Sequence, residues 1–282
     1  MVWASELLHD FGGEGSIIHL AHANGFPPGA YRQLAMALTD TYHVVGLPAR
    51  PLWPGSDPAG VPDWHPLADD LLRAFDALQL SAILAVGHSL GGVLTLWAAI
   101  ARPDLFRAVV LVEPVILPLT WLCYMRLLRR LGLAARQPLV QGALHRRRAW
   151  PSRQDCFAHL RAKSVFARWS DDALWDYVNS GTCLREDGTV KLRYPPEWEA
   201  HIFATAPVDI WHGVHRLTVP ALLLRGEHSQ TFMPAAQARL VCRLPQCQSV
   251  TVADAGHLVP MERPAETARL IGEFLEGRAG PS

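Results

Sequence analysis

One serine stands out by its neighbours. Gly87-His88-Ser89-Leu90-Gly91-Gly92 has the G-x-S-x-G spacing, which lets a chain turn sharply from strand into helix and projects the central hydroxyl from the strand end. An apolar run at 82–87 precedes it and a helical pattern at 90–101 follows. The pentapeptide alone is a weak pattern; with strand and helix on either side it reads as a nucleophile. A helix starting there aims backbone N–H groups at the serine, and the N–H of Leu90 becomes a donor to a developing oxyanion. A serine nucleophile implies an acyl-enzyme intermediate, formed from an ester, thioester, lactone, amide or activated C–C bond. Its base has to be found among 13 histidines and its orienting acid among 26 carboxylates.

The elements that must position these groups are legible as alternating patterns. Short aliphatic or β-branched runs at 16–22, 42–47, 82–87, 108–113, 221–226 and 249–253 read as strands covered on both faces. Residues 7–11 suggest a short edge strand. Helical patterns fall at 29–40, 64–79, 90–101, 234–243 and 264–276. This alternation predicts an α/β chain with a mostly parallel, doubly wound sheet. From 115 to 212 the rhythm breaks. That segment has helical patches at 119–131, 154–169 and 171–179, with Asp155, Asp171 and Asp172 as first-turn acids. A hairpin-like stretch at 184–192 surrounds Asp187-Gly188, and 195–199 reads as a turn into a last helix. The same segment holds 14 basic against 9 acidic residues and 6 of the 10 tryptophans, although the whole chain has zero formal net charge. The expected organisation is a core of residues 1–114 and 213–282 with a helical cap of residues 115–212 inserted after the strand that ends at Glu113.

With the elbow and its elements in place, the sequence resembles the α/β-hydrolase superfamily over essentially its whole length. Within it, the pattern looks most like small capped carboxylesterases. His22-Ala23-Asn24-Gly25-Phe26-Pro27-Pro28-Gly29, after the first clear strand, is similar to the HG-x-P oxyanion loop with Asn24-Gly25 in place of His-Gly. The resemblance makes the N–H of Phe26 the second oxyanion donor, beside Leu90. Asp254-Ala255-Gly256-His257-Leu258-Val259-Pro260 lies between the last strand and the final helix, where the family carries its catalytic histidine. That singles out His257 as the base. The acid departs from the family pattern. Gly226-Glu227-His228-Ser229-Gln230 puts Ser229 at the position usually held by aspartate and Gln230 next to it. Glu113, ending a buried strand, resembles an acid position used in some branches of the superfamily. A buried carboxylate needs a partner, and an imidazolium is a good one. Glu113 is therefore the favoured acid and Glu227 the alternative. The expected substrate is a small-molecule carboxylic ester, and the expected cofactors and metals are none. A lactone or C–C bond hydrolase on the same residues, or a non-catalytic binder of small ligands, are the rival readings.

Composition narrows the rest. Half of the 282 residues are apolar and 18% are charged, as in a globular protein. Zero net charge speaks against a dedicated nucleic-acid binder. No run approaches the ~18 to 20 apolar residues needed for a membrane span. The five cysteines, Cys123, Cys156, Cys183, Cys242 and Cys247, form no metal-binding spacing. With no evident export signal, they suggest a cytoplasmic protein. Nothing in the sequence separates monomer from homodimer. Asn24, His88, Trp53 and Trp121 are the candidates for lining the substrate pocket. Arg146-Arg147-Arg148 is the one dense charge run; it reads as a solvated helix face, with an anionic substrate group as the lesser alternative.

Overall fold

The computed structural model describes residues 3–244 and 246–276. Strands β1 (His9–Gly12), β2 (Ile17–Ala21), β3 (His43–Gly46), β4 (Ile83–His88) and β5 (Phe106–Val112) come first. A long insertion follows, carrying β6 (Ala149–Trp150), β7 (Thr182–Leu184) and β8 (Val190–Leu192). The chain then returns with β9 (Ala221–Gly226) and β10 (Cys247–Val252). Seven strands form one sheet in the order β1-β3-β2-β4-β5-β9-β10. Every pairing in it is parallel except that of β1, which runs antiparallel along the edge of β3. This is the mostly parallel, doubly wound α/β sheet that the alternating runs predict.

The apolar runs are continuous because both sheet faces are covered. Ile83, Ala85, Val109, Leu111, Ala221 and Leu223 join one core with the helices His65–Ala77 and Leu90–Ala101. Their neighbours Leu84, Val86, Ala108, Val110, Leu222 and Leu224 join the other, with Leu34 and the C-terminal helix Pro264–Glu276. Side chains alternate across a strand, so one sequence run feeds two cores. Residues of the insertion enter both: Leu122, Met125 and Trp198 the first, Trp150, Trp169 and Tyr177 the second.

The insertion holds helices Leu119–Arg130, Pro138–Leu144, Arg153–Arg161, Asp171–Gly181 and Pro196–Ala204. Ser152 and Ser170 cap two of them, accepting from the N–H groups of Asp155 and Ala173. The helical pattern at 154–169 is cut short at Arg161. The Arg161 guanidinium donates to the carbonyls of Phe166 (2.9 Å) and Trp169 (3.0 Å), folding the following residues back over the helix end. The hairpin around Asp187-Gly188 is present as β7–β8, and β6 adds a third antiparallel strand. Among the described residues no helix is long and apolar enough to cross a membrane.

Candidate active site

Parallel strands place their C-terminal ends on one edge, and open α/β sheets bind ligands there. Here that edge receives the loops after β2, β4, β5, β9 and β10, which carry Asn24, Ser89, Glu113, Ser229 and His257. Three of these loops contain a non-glycine residue at positive φ: Ser89 (56°), Glu113 (50°) and Asp254 (50°). Such conformations cost on the order of 1–3 kcal/mol each and are held by tight surroundings. A Cβ on Gly87 would lie 2.4 Å from the Gly91 carbonyl oxygen, and one on Gly91 only 2.1 Å from that of Ala21. The two glycines of the motif are therefore required by close packing of the helix start on β2 and β4.

The geometry brings Ser89, His257 and Glu113 together. Ser89 Oγ is 2.9 Å from His257 Nε2, and His257 Nδ1 is 2.9 Å from Glu113 Oε2. Glu113 is fully buried. Its Oε1 accepts the Gly226 N–H at 2.7 Å and its Oε2 accepts the Ser229 hydroxyl at 2.5 Å. With the carboxylate on Nδ1–H, the lone pair of Nε2 faces the serine. Ser229 thus stands where the family pattern has its acid and instead donates to an acid supplied by the neighbouring strand. Its Oγ also accepts from the N–H groups of Thr231 and Phe232, both at 3.2 Å. Glu227 is exposed, and its carboxylate accepts the Asp254 N–H at 3.1 Å rather than meeting His257. Glu227, His228 and Asp254 bring one ligand atom each within 4.8 Å of one another, all on the exposed surface.

Leu90 is the first residue of its helix, so its N–H has no acceptor within the helix. The Phe26 N–H lies in a turn to the Ala23 carbonyl at 3.2 Å. Ser89, Leu90, Phe26 and His257 all line a cavity of about 1230 Å³. Of the pocket candidates, Asn24 and Trp121 line it too. Asn24 is fixed there by donating to the Glu199 carbonyl (3.0 Å) and accepting from the Tyr194 hydroxyl (2.8 Å). Trp53 does not line this cavity. Its indole N–H donates to the Pro48 carbonyl at 2.8 Å, and its ring borders a separate small void beside His19 and Asp70. Trp64, farther along the same connection, does line the large cavity, with its indole N–H on the Ile202 carbonyl at 3.0 Å.

His88 is likewise turned away from the cavity. It is 1% exposed, and Tyr31 Oη lies 2.7 Å from its Nδ1. Its Nε2–H reaches the His257 carbonyl at 2.8 Å. Tyr31 Oη in turn accepts the Ala23 N–H at 2.8 Å. A buried chain of hydrogen bonds therefore ties the loop after β2 to the His257 loop behind the serine. Burial, and then the nearby His257, hold the His88 imidazole down at about 3, so it stays neutral. Tyr31 is a contributor that the sequence does not single out, and Ser229 one that the sequence marks only as a residue that is not an acid. Arg146 of the dense charge run is not on a solvated helix face: it lies on the cavity wall and bonds Glu199 (2.5 Å) and the Tyr177 hydroxyl (2.7 Å).

Comparison with known proteins agrees with this architecture. Residues 20–270 match the family model described as "Alpha/beta hydrolase family", and the chain belongs to that family. "Abhydrolase domain-containing protein AFT2-1" of Alternaria alternata is 28% identical over 230 residues, covering 69% of this chain and 83% of that protein. Among solved structures, an E-2-(acetamidomethylene)succinate hydrolase superposes with a TM-score of 0.78 at 21% identity, over 95% of this chain and 94% of that one. The M. tuberculosis esterase Rv0045c gives 0.74 at 21% identity, over 95% and 88%. At such identities the structural likeness speaks for the fold.

Proposed function

We propose that this chain is a serine hydrolase that cleaves small to medium carboxylic esters through an acyl-enzyme intermediate. The observation that carries the reading is the unbroken line Ser89–His257–Glu113, with 2.9 Å at each step, opening into the large cavity. Ser89 Oγ attacks the acyl carbon while His257 Nε2 takes its proton. Glu113 holds the imidazole by Nδ1–H and stabilises the imidazolium. The N–H groups of Leu90 and Phe26 receive the oxyanion; Phe26 exchanges its 3.2 Å turn bond for it. Each such donor is worth on the order of 3 kcal/mol in the transition state. The tetrahedral intermediate collapses, the alcohol leaves with the proton from His257, and water then attacks the acyl-Ser89 ester by the same proton path. Every step uses this chain's own groups, without metal or organic cofactor. Residues 115–212 act in this reading as a cap that forms most of the cavity wall.

The test is labelling by a fluorophosphonate probe with intact-mass readout, and turnover of a p-nitrophenyl ester. One adduct is expected on the wild type and none on Ser89→Ala. The variant should lose at least about 10³-fold in kcat/KM. Near-normal turnover by Ser89→Ala would overturn the mechanism.

A further inference from the structure

The cavity is not evenly charged. Arg146 and Glu199 on its wall neutralise each other. Arg147 and Lys163 also line it, both exposed and therefore at its mouth, whereas Ser89 is 6% exposed at its floor. Neither cation makes an ion pair with a carboxylate among the described residues. Arg147 spends its Nε–H on the Ala149 carbonyl at 3.0 Å and lies 5.7 Å over the Trp150 ring. His159 packs against the same ring, 5.8 Å between centroids, and lines the cavity with it. Burial first, and then the charges of Lys163 and Arg147, hold the His159 imidazole below its ordinary value.

Trp150 supplies an independent observation. It is 2% exposed, and its indole N–H is buried without an acceptor among the described residues. A buried donor left unpaired is destabilising. Trp150 is part of the lining of a ligand-sized cavity together with Arg147 and Lys163, neither of which is paired with a carboxylate among the described residues.

From this wall we infer that the cavity has an anion subsite, formed by Trp150, Arg147, Lys163 and His159. It selects acyl substrates that carry a carboxylate or phosphate at the end away from the scissile carbonyl. The apolar lining between floor and mouth, including Leu160, Phe166 and Met125, accepts the aliphatic stretch between the two. This deepens the hydrolase reading and rests on it for the position of the scissile bond. The anion subsite itself does not depend on catalysis.

Three probes test it: p-nitrophenyl hexanoate, the p-nitrophenyl half-ester of adipic acid, and hexanoyl-coenzyme A. The first is neutral, the second carries a carboxylate on the acyl side, and the third carries phosphates on the leaving group. At low ionic strength kcat/KM for at least one anionic probe should exceed that for the neutral ester by about tenfold. The preference should shrink in ~0.5 M salt, where exposed charges are screened. Whichever anionic probe is preferred identifies the side on which the charge lies. Arg147→Gln/Lys163→Gln should bring the ratio close to unity. Trp150→Phe, which keeps an aromatic ring and removes the N–H, should lower it severalfold. Arg168→Gln, an exposed cation outside the lining, should leave it unchanged.

Calorimetry of hexanoyl-coenzyme A and monomethyl adipate with Ser89→Ala separates the two readings. Salt-sensitive binding that Arg147→Gln/Lys163→Gln abolishes supports the subsite even if the fluorophosphonate adduct never forms. An adduct on Ser89 with equal turnover of neutral and charged probes would overturn the subsite and leave the hydrolase reading standing. Absence of any salt-sensitive anion preference in both turnover and binding overturns it as well.

Discussion

In the proposed mechanism the choice of Glu113 as orienting acid rests on what each candidate carboxylate touches. Glu113 has no exposure and receives three donors, from Gly226, Ser229 and His257. An ionised carboxylate is suited to that, since it only accepts. In Glu113→Gln an amide nitrogen can face His257 and turn it to the tautomer with a proton on Nε2, which cannot take the proton of Ser89. We expect a loss on the order of 10³ to 10⁴ in kcat, read by steady-state hydrolysis of a p-nitrophenyl ester. Glu227→Gln should stay near the wild-type rate, because that carboxylate sits on the surface against the Asp254 N–H. The reverse ranking would reassign the acid. Ser229 explains why the sequence left two candidates open. Residue type says that a serine cannot be the acid; it does not say that the serine's hydroxyl points at one supplied by another strand.

At the scale of elements, the site depends on loops being held relative to one another. Tyr31 does this from behind: its hydroxyl accepts from Ala23 and meets His88, which holds the His257 carbonyl. Tyr31→Phe leaves the buried Ala23 N–H without its acceptor. It should cost about 1–3 kcal/mol of stability, measured as a lower urea midpoint with an unchanged m-value. An unshifted midpoint would mean that the chain of hydrogen bonds bears no load. The strands that carry the site were readable because burial on both faces makes them continuous apolar runs. The elbow was readable because packing demands glycine at 87 and 91. The insertion was less so. β6 is two residues long and has no period to detect, and the helix Pro138–Leu144 has only Val140 and Ala143 buried. Trp53 was misplaced because a large aromatic on a loop near the site carries no signal of direction; the Pro48 carbonyl decides it. His88 misled in the same way, since adjacency to Ser89 along a strand end means opposite facing.

At the scale of the molecule, the core holds ionisable groups as neutral ones. Burial lowers His19 to about 3, His22 to about 4 and His88 to about 3. Each is committed to the neutral form by its partners. His22 donates from Nδ1 to the Ala23 carbonyl and accepts the Ala49 N–H at Nε2, and His19 Nε2 accepts the Leu47 N–H. In the unfolded chain these imidazoles titrate near 6.5. Between about pH 6.5 and pH 4 the unfolded state therefore binds more protons than the native state. Their contribution to stability is complete above about pH 6.5 and is lost as pH falls toward the native values. The slope approaches about 1.4 kcal/mol per pH unit for each histidine once the unfolded chain is protonated. With typical stabilities of ~5–15 kcal/mol, three such groups are enough to drive acid unfolding. Urea unfolding at a series of pH values should show the free energy falling steeply below about pH 6. Removing one of the three, as in His19→Gln, should make that slope about one third shallower. A free energy that stays flat from pH 7 to pH 5 would show that these side chains are not held neutral, and the hydrogen-bonded frame behind Ser89 would have to be redrawn.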